Sequence, residues 1–260
     1  MSRFFKIWWL LTSLSSQVAL RSSFGAILFF VGKILRFGLF IAFILVLESK
    51  VKSIAGYSIW QMILFFSTFN LIDVTAQFLL REVYRFRSYI VRGEFDFILI
   101  KPLPPLFRSL FGGSDILDLP ILILSIILII ISMTKVGDIN LTNILLFLLL
   151  TINGLIIALA FHIFTLGIGI LTTEVDNTIM LYRDLTQMAR FPVDIYRQPA
   201  QSLLTFVIPV GIMITFPPKA LLGLLSPILI IISLTLGVVF LYLSLRLWNF
   251  GLKHYQSASS

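Results

Sequence analysis

The sequence lacks cysteine altogether and contains only two histidines among its 260 residues. Without cysteine there can be no disulfide bond, thiolate zinc site, iron–sulfur cluster or cysteine nucleophile. The HExxH zinc motif is impossible, because His162 and His254 are far apart. A Ser-His-Asp triad is not credible either, since His162 lies in an apolar run and His254 lies in the tail. We therefore expect no catalytic or metal site in this chain.

Charged residues are also scarce, at 12% of the chain. A soluble domain typically has about 25%, so most of the surface must face something other than water. A nucleotide-binding loop is missing as well. The only Gly-Lys pair, Gly32-Lys33, has Ile27 where the motif GxxxxGK[ST] requires glycine, and Ile34 where it requires serine or threonine. We expect no cofactor here; if ATP drives this protein, another chain binds it.

Long apolar runs dominate what is present, since 58% of residues are hydrophobic. A spanning helix needs roughly 20 mostly apolar residues. Five runs qualify: 24–47, Tyr57–Leu80, Leu117–Met133, Leu141–Leu171 and Leu225–Leu247. A sixth run, Leu203–Phe216, is short and contains Pro209, which predicts a re-entrant or interfacial segment. The pattern predicts an all-α integral membrane protein, organised as one membrane domain over residues 1–260.

The positive charges predict the topology. The net charge is +8. We interpret the excess of basic residues as groups that contact anionic lipid on the cytoplasmic side, rather than nucleic acid. The basic residues cluster in an N-terminal arm, in the gap after the second run and in the C-terminal tail: Arg3, Lys6 and Arg21; Arg81, Arg85, Arg87, Arg92, Lys101 and Arg108; Arg246 and Lys253. These segments are predicted to be inside. The gaps with Lys50, Lys52 and Lys135 are predicted to be outside.

With both termini inside, the number of spans must be even, so one weak span is missing. The best candidate is Val175–Phe191, although it contains Arg183, Asp184 and Arg190. Charges within a span usually face the bundle or a watery cavity. The alternative is that Leu203–Phe216 spans and Val175–Phe191 lies at the surface.

The region before the first span predicts an amphipathic helix. Over residues 1–22, polar and basic side chains fall on one side of a helical wheel, which is typical of a helix lying in the membrane interface. The structural alternative is a plain extension of the first span. Lys33 and Arg36 lie three residues apart inside that span. We interpret them as side chains that snorkel to the cytoplasmic headgroups.

The basic loop of residues 81–112 is the most informative segment. Gly93 can end one helix, residues 94–100 can form a short helix, and the following prolines end it. Its apolar side chains on a loop that should be polar suggest a partner surface; the alternative is a helix that floats on the membrane. The candidate residues are Arg92, Gly93, Glu94, Phe95, Asp96, Ile98, Leu99, Lys101 and Pro102.

A few polar residues interrupt the predicted spans. In the second span, Asn70, Asp73 and Gln77 fall on one helical face, and in the fourth span Asn153 and His162 are the polar members. One interpretation is the lining of a substrate path. The other, which we favour for all but Asp73, is hydrogen-bonded packing between helices. A carboxylate within a span is a functional candidate by default.

A run of prolines follows the fifth span: Pro192, Pro199, Pro209, Pro217 and Pro218. Between two spans this rhythm predicts short broken helices over residues 192–223, because non-helical backbone at membrane depth must be covered by protein or water. Such hairpins often lie at the mouth of a transport path. The alternative is an ordinary extracellular cap. For the capping sequence Ser114-Asp115 and for Asp118, a structural role at a helix start is sufficient.

In its order of motifs the chain resembles the type-2 class of ABC exporter permeases. Four features carry this resemblance: the stretch from Arg92-Gly93-Glu94 to Lys101-Pro102; the hairpin with Ile208-Pro209-Val210 and Phe216-Pro217-Pro218; the tail from Arg246 to Gly251 with Tyr255 and 257–260; and the layout of an N-terminal interfacial helix followed by six spans.

The resemblance implies a function as well as a fold. Residues 94–100 would be a coupling helix that docks on a separate ATPase, and re-entrant helices would lie at about 198–207 and 210–222. The fifth span would be Val175–Phe191. A dimer of permeases, identical or related, would work with two ATPases that hold ATP and Mg²⁺. The chain would be a multi-pass protein of the bacterial inner membrane with cytoplasmic termini, exporting a hydrophobic or amphipathic substrate.

Three other functions are compatible with an apolar helical chain. A secondary transporter or channel without an ATPase would be expected to show internal repeats and midplane charges, and the sequence shows no repeat and few such charges. A lipid-modifying enzyme would need clustered His, Asp or Glu. A purely structural membrane subunit is the third alternative.

Overall fold

The computed structural model describes residues 3–21, 23–50, 53, 55–137 and 139–256. The side chains of residues 23, 48 and 49 also lie outside this description, as do Lys52 and the tail residues 257–260. The described residues contain helices and no strand. In chain order the α-helices are α1 (Arg3–Arg21), α2 (Ser23–Lys50), α3 (Ile59–Leu79), α4 (Phe86–Val91), α5 (Glu94–Leu99), α6 (Pro105–Leu110), α7 (Leu119–Val136), α8 (Leu141–Thr172), α9 (Val175–Met188), α10 (Ala200–Ser202), α11 (Phe216–Leu221) and α12 (Pro227–Lys253).

The five predicted long spans are confirmed. Five segments are long and apolar enough to cross a membrane: Phe24–Leu47, Ile59–Leu79, Ile116–Val136, Leu141–Thr172 and Pro227–Lys253. Local signals set some of their starts. The side chains of Ser58 and Gln61 form a reciprocal capping box before α3. The Asn140 side chain accepts a hydrogen bond from the Asn143 amide at the start of α8, at 2.8 Å.

The helices α8 and α12 pack closely against each other and run in the same direction. Near the middle of α8, Asn153 lies against Gly237 of α12, and further along Gly167 lies against Trp248. Glycine permits both contacts, because a Cβ at Gly237 would lie 2.1 Å from Asn153 Oδ1 and a Cβ at Gly167 would lie 3.2 Å from the backbone nitrogen of Trp248. Close helix approach through glycine is the usual way to pack helices in lipid.

The bundle has two ends that differ in charge and in backbone structure. The basic end contains residues 81–118 and the last turns of α8 and α12. The hairpin end contains the start of α3, the start of α8 and the segment between α9 and α12. The first helix, α1, lies at the basic end: the Ser114 amide donates to Thr12 Oγ1 at 3.3 Å, and the Phe4 and Phe107 rings are 5.1 Å apart.

Helix α9 corrects the predicted fifth span. It ends at Met188, three residues before Phe191, and its 14 residues extend about 21 Å. It is therefore too short to be a spanning helix by itself. Nevertheless the chain crosses the bundle here. Val175 packs over Gly169 at the basic end, whereas Asp194 hydrogen-bonds Tyr57 at the hairpin end. Irregular backbone after α9 completes the distance.

The segment between α9 and α12 goes into the bundle and returns. Its two helical parts, Ala200–Val207 and Gly211–Leu221, are bent by 80° and match the two predicted short helices. Lys219 Nζ lies 2.9 Å from Asp194 Oδ1. The two ends of the segment, its two feet, therefore both lie at the hairpin end. Between them, Met213 lies against Gly154, about 20 Å along α8. Taken as one span, this bent pair would be a sixth, but its two feet are at the same end.

The prolines lie where the backbone changes direction. Pro192 precedes a 3₁₀ turn at Val193–Ile195, and Pro199 precedes α10. Pro209 separates two π-helical turns, Leu203–Val207 and Gly211–Thr215. Pro217 and Pro218 lie where the π-helical turn Gly211–Thr215 changes to the α-helical turn of α11, within one continuous helical part.

Candidate functional site

A cavity of about 520 Å³ lies between α2 and α3. The residues before α7 close it at the basic end, and Arg190, just after α9, contributes to its wall. Its volume lies within the roughly 300–1,000 Å³ of small-molecule sites. The cavity is the candidate site for a transported molecule.

The cavity wall changes from polar to apolar along its length. On α3, Asn70, Asp73 and Gln77 lie toward the basic end, and phenylalanines lie toward the hairpin end. The antiparallel helix α2 repeats the order with Lys33 and Arg36 near the basic end. The phenylalanines that continue the wall are Phe37, Phe40, Phe43, Phe66 and Phe69. Both helices therefore place charge at one half of the cavity and aromatic rings at the other.

The three polar residues predicted to share one face of α3 do line this cavity. Gln77 Nε2 donates to Asp73 Oδ2 at 2.7 Å. Asn70 Nδ2 donates to the carbonyl of Phe66 in its own helix at 2.8 Å. None of these bonds joins two helices, so the polar groups of Asn70, Asp73 and Gln77 are not used for helix packing.

The other two candidates of the predicted path, Asn153 and His162, lie elsewhere. Asn153 Nδ2 donates to the carbonyl and hydroxyl oxygens of Ser233 on α12, at 3.0 and 3.1 Å. His162 is fully buried beside Tyr84 and Tyr182, and its Nδ1 is 2.8 Å from the carbonyl oxygen of Ala158. Both positions match the packing interpretation.

The cavity also contains two arginines that the sequence did not single out for this site. The Arg190 guanidinium lies over the Phe40 and Phe69 rings, 5.6 and 5.7 Å from their centroids. Arg190 Nε is buried without a hydrogen-bond partner. Among the side chains described, no carboxylate lies within 4.0 Å of Arg36 or Arg190. The spacing of residues in the sequence could not predict that Arg36 and Arg190 lie beside the phenylalanines of the cavity wall.

Lys33 does not snorkel to headgroups, which corrects its interpretation. Its ammonium pairs with Asp118 and lies 3.6 Å from Asp115 Oδ2. Arg81 reaches the same two carboxylates at 3.1 and 3.4 Å. Asp115 also caps the following turn by accepting from the Leu117 amide at 3.0 Å. Together Lys33, Arg81, Asp115 and Asp118 form an ion cluster that joins α2, the end of α3 and the start of α7.

The predicted short helix of the basic loop is present as α5. Gly93 precedes it with φ of +70°, a conformation that glycine adopts without strain. However, Phe95 and Ile98 are buried, contrary to the prediction that they are exposed. The Phe95 ring is 5.2 Å from Phe86 and 5.1 Å from Tyr255.

The exposed face of α5 consists of other residues. Phe97 is 62% exposed, Ile100 is 79% exposed and Leu99 is 37% exposed. Of the remaining loop candidates, Arg92 lies 4.0 Å from Glu94, and the Pro102 carbonyl accepts from Arg3 at 3.3 Å. The helix thus has one face buried in the protein core and one exposed apolar face.

Glu82 holds the loop against the bundle. Its buried carboxylate accepts from Arg108 at 2.6 Å and from the Tyr89 hydroxyl at 2.5 Å. Burial and the Glu82 carboxylate raise the pKa of Tyr89, so the phenol remains a donor. Gly112 is required beside it, because a Cβ there would lie 1.8 Å from Glu82 Cδ.

At the opposite end, Asp194 ties the feet of the hairpin together. It accepts from Tyr57 at 2.8 Å, from Gln201 at 3.1 Å and from Lys219 at 2.9 Å. Burial and the Asp194 carboxylate raise the pKa of Tyr57, which keeps this hydroxyl protonated. The hairpin and the segment before α3 are thereby connected through one carboxylate.

Comparison with known proteins gives one match. A family model described as ABC-2 family transporter protein matches residues 34–259. The matched range includes the cavity residues from Leu35 onward, the whole basic loop, the hairpin and α12. No curated protein matches, and no solved structure matches.

Proposed function

Because this chain belongs to the ABC-2 family of transporter proteins, and is thus a transport subunit rather than an enzyme, we propose how it works in its complex. It is the permease, and a separate ATPase hydrolyses ATP. Two permease chains, identical or related, span the bacterial inner membrane with their termini in the cytoplasm. They export a hydrophobic or amphipathic molecule by alternating between inward-open and outward-open states.

The exposed face of α5 is the observation that carries the ATPase assignment. Phe97, Leu99 and Ile100 form an apolar patch on a basic loop, and an exposed apolar patch marks a partner surface. The buried face keeps α5 rigid relative to the bundle. A partner that pushes on Phe97 and Ile100 would therefore move the bundle, instead of bending a loose loop.

Contacts behind α5 supply a route for that movement. Phe95 touches Phe86 of α4, and Phe86 lies beside Gly169, over which Val175 packs at the start of α9. The chain then continues through α9 to Arg190 in the cavity wall. We assign α9 the role of a short lever between the loop and the cavity.

The helix α2 supports the assignment of a second permease chain. Its apolar side chains are exposed along most of its length, among them Phe24, Ile27, Leu28, Leu35, Leu39 and Leu45. Lipid can cover such a face, and so can a second permease. The cavity opens beside α2, so a second chain there would complete the wall of a path between the two permeases.

Co-purification tests the assignment. The tagged chain is co-expressed with its candidate ABC ATPase and purified in nanodiscs. A double variant, Phe97→Asp with Ile100→Asp, is treated in the same way. Leu141→Asp is the matched control, because Leu141 is 70% exposed but lies at the hairpin end. We expect the native chain and the control to retain the ATPase, and the double variant to lose at least about tenfold in affinity through removal of two apolar anchors.

Two results would contradict the proposal. Equal retention by the double variant would remove α5 from the ATPase contact. A native chain that binds no ATPase, yet carries flux in vesicles without ATP, would instead be a secondary transporter or channel.

A further inference from the structure

The unpaired arginines of the cavity indicate which molecules it accepts. Arg36 and Arg190 lie close enough to interact electrostatically with each other and with Asp73. Arg183 also acts on Asp73. Arg183 does not line the cavity, but Arg36, Asp73 and Arg190 do, so one carboxylate faces two guanidinium groups and the charge of this part of the wall is positive. Lys33 does not change it, because Asp118 and Asp115 already pair with Lys33 and Arg81.

Positive charge without a counterion is costly at membrane depth. Arg36 lies about 18 Å along the apolar stretch that begins at Phe24, and Arg190 touches phenylalanine rings rather than a carboxylate. A bound anion would offset this cost. The planar guanidinium also matches carboxylate and phosphate oxygens in bidentate geometry.

The other half of the cavity needs an apolar group. The Phe40 and Phe66 rings stack with centroids 4.4 Å apart, and Phe37 lies 5.2 Å from Phe66. Water in this half would find few partners, whereas an alkyl chain would bury apolar surface. The order along both helices fixes the orientation: the acidic group lies toward the basic end and the tail toward the hairpin end.

We propose that the cavity binds a single-tailed amphipathic anion, whose phosphate or carboxylate head lies between Arg36 and Arg190 and whose tail lies against the phenylalanines. This substrate class rests on the proposed transport function and narrows it from any hydrophobic or amphipathic molecule to an acidic one. Asp73 already accepts from Gln77 and offsets only part of the positive charge, so a cationic head would meet repulsion.

Photolabelling of the purified chain tests this without an ATPase. The chain is placed in phosphatidylcholine nanodiscs with hexadecyl phosphate that carries a diazirine in its tail. Hexadecanol and hexadecylamine with the same tail are the matched probes. Labelled peptides are mapped by mass spectrometry. We expect the phosphate probe to label α2 and α3 peptides around Phe40 and Phe66 at least about tenfold more than either matched probe.

Charge variants locate the effect. Arg36→Gln and Arg190→Gln should each lower phosphate-probe labelling about tenfold, and the corresponding lysine variants should restore part of it. Arg197→Gln is the control, because Arg197 is exposed and does not line the cavity. Elution as a single symmetric peak with unchanged helical circular dichroism confirms that each variant is folded.

Three outcomes would overturn the inference. Equal labelling by all three probes would show a merely apolar cavity, and labelling that survives both glutamine variants would place the head elsewhere. Full competition by phosphatidylglycerol at equal charge would assign the cavity to a membrane lipid headgroup. The labelling experiment contains no ATPase. If the chain retains the ATPase in co-purification but shows none of the expected labelling, only the proposed substrate class is wrong. Selective labelling by a chain that retains no ATPase would count against the proposed function instead.

Discussion

Two long apolar helices, α8 and α2, look alike in sequence and behave differently in the structure. In their most apolar stretches, 44% of the α8 residues are buried but only 11% of the α2 residues. Each helix has glycines. A Cβ added at Gly154 or Gly167 of α8 would lie within 3.3 Å of atoms from another segment. A Cβ added at Gly32 or Gly38 of α2 would have no such atom within 4 Å. Hydropathy predicts that a helix lies in the membrane. Close contacts with neighbouring helices decide whether that helix belongs to the packed scaffold of the bundle.

The difference extends to how each helix is held. Close contacts at Gly154 and Gly167, together with the hydrogen bonds from Asn153 to Ser233, hold α8 against its neighbours. By contrast, α2 is held by the ion cluster of Lys33, Arg81, Asp115 and Asp118 near the basic end and by ring contacts of Phe40 and Phe43 farther along. α2 forms one wall of the cavity, and most of its surface faces away from the other helices. The comparison thus separates a buried scaffold helix from a peripheral helix that forms a cavity wall.

The largest expected effect comes from adding one methyl group to each helix. In Gly154→Ala the new Cβ would lie 2.4 Å from the Met213 carbonyl oxygen, so we expect a loss of about 1–3 kcal/mol in the free energy of unfolding. Gly38→Ala should be neutral or stabilising by less than about 1 kcal/mol, because alanine favours helix. Thermal unfolding in detergent measures both. Equal shifts in the two variants would end the distinction between α8 and α2.

A smaller effect on stability, but a larger one on position, is expected for Lys33→Met. The change leaves two carboxylates with Arg81 alone and should cost about 1–2 kcal/mol, since Lys33 is one-fifth exposed and partly screened. We expect α2 to separate from α7. Spin labels at Leu45→Cys and Ile130→Cys, both about half exposed, report the distance by electron resonance, and the native chain has no cysteine to interfere.

The control for that experiment is Lys50→Met, which removes the same charge from the exposed end of α2. Its distance distribution should match that of the labelled native chain. If Lys33→Met leaves the distribution unchanged as well, the ion cluster does not hold α2.

The smallest expected effect distinguishes two asparagines. Asn153→Ala removes the hydrogen bonds from α8 to Ser233 of α12, and it should cost about 1 kcal/mol. Asn70→Ala removes a bond within α3 only and should leave the unfolding free energy nearly unchanged. Reversible unfolding in mixed micelles compares the two. A larger loss for Asn70 than for Asn153 would reverse their assignment to cavity and scaffold.

Local patterns predicted the apolar helices well, because hydropathy and caps depend on neighbouring residues. The run Leu141–Leu171 became α8 with a difference of one residue at its end, and the helices of the hairpin followed from their prolines. The boundaries of α9 were less predictable, because its polar residues Arg183 and Asp184 weaken the apolar signal.

Long-range contacts were beyond prediction for a different reason. The partner of Lys33 lies 85 residues away, so its charge had no visible compensation and lipid headgroups were the nearest assumption. Phe95 was similarly expected on the surface, because its loop is basic and the aromatic side chains of Trp248 and Tyr255 that cover it come from the other end of the sequence. The cavity arginines are likewise brought together only by the fold.

The two faces of α5 have a consequence for how this protein can change over time. Phe95 and Ile98 are buried in the permease core, whereas most of the surface of Phe97 and Ile100 is exposed. Substitutions at the outer positions are therefore free of the stability constraint that acts on the inner ones. Within six residues, the choice of partner can evolve, or be redesigned, separately from the fold.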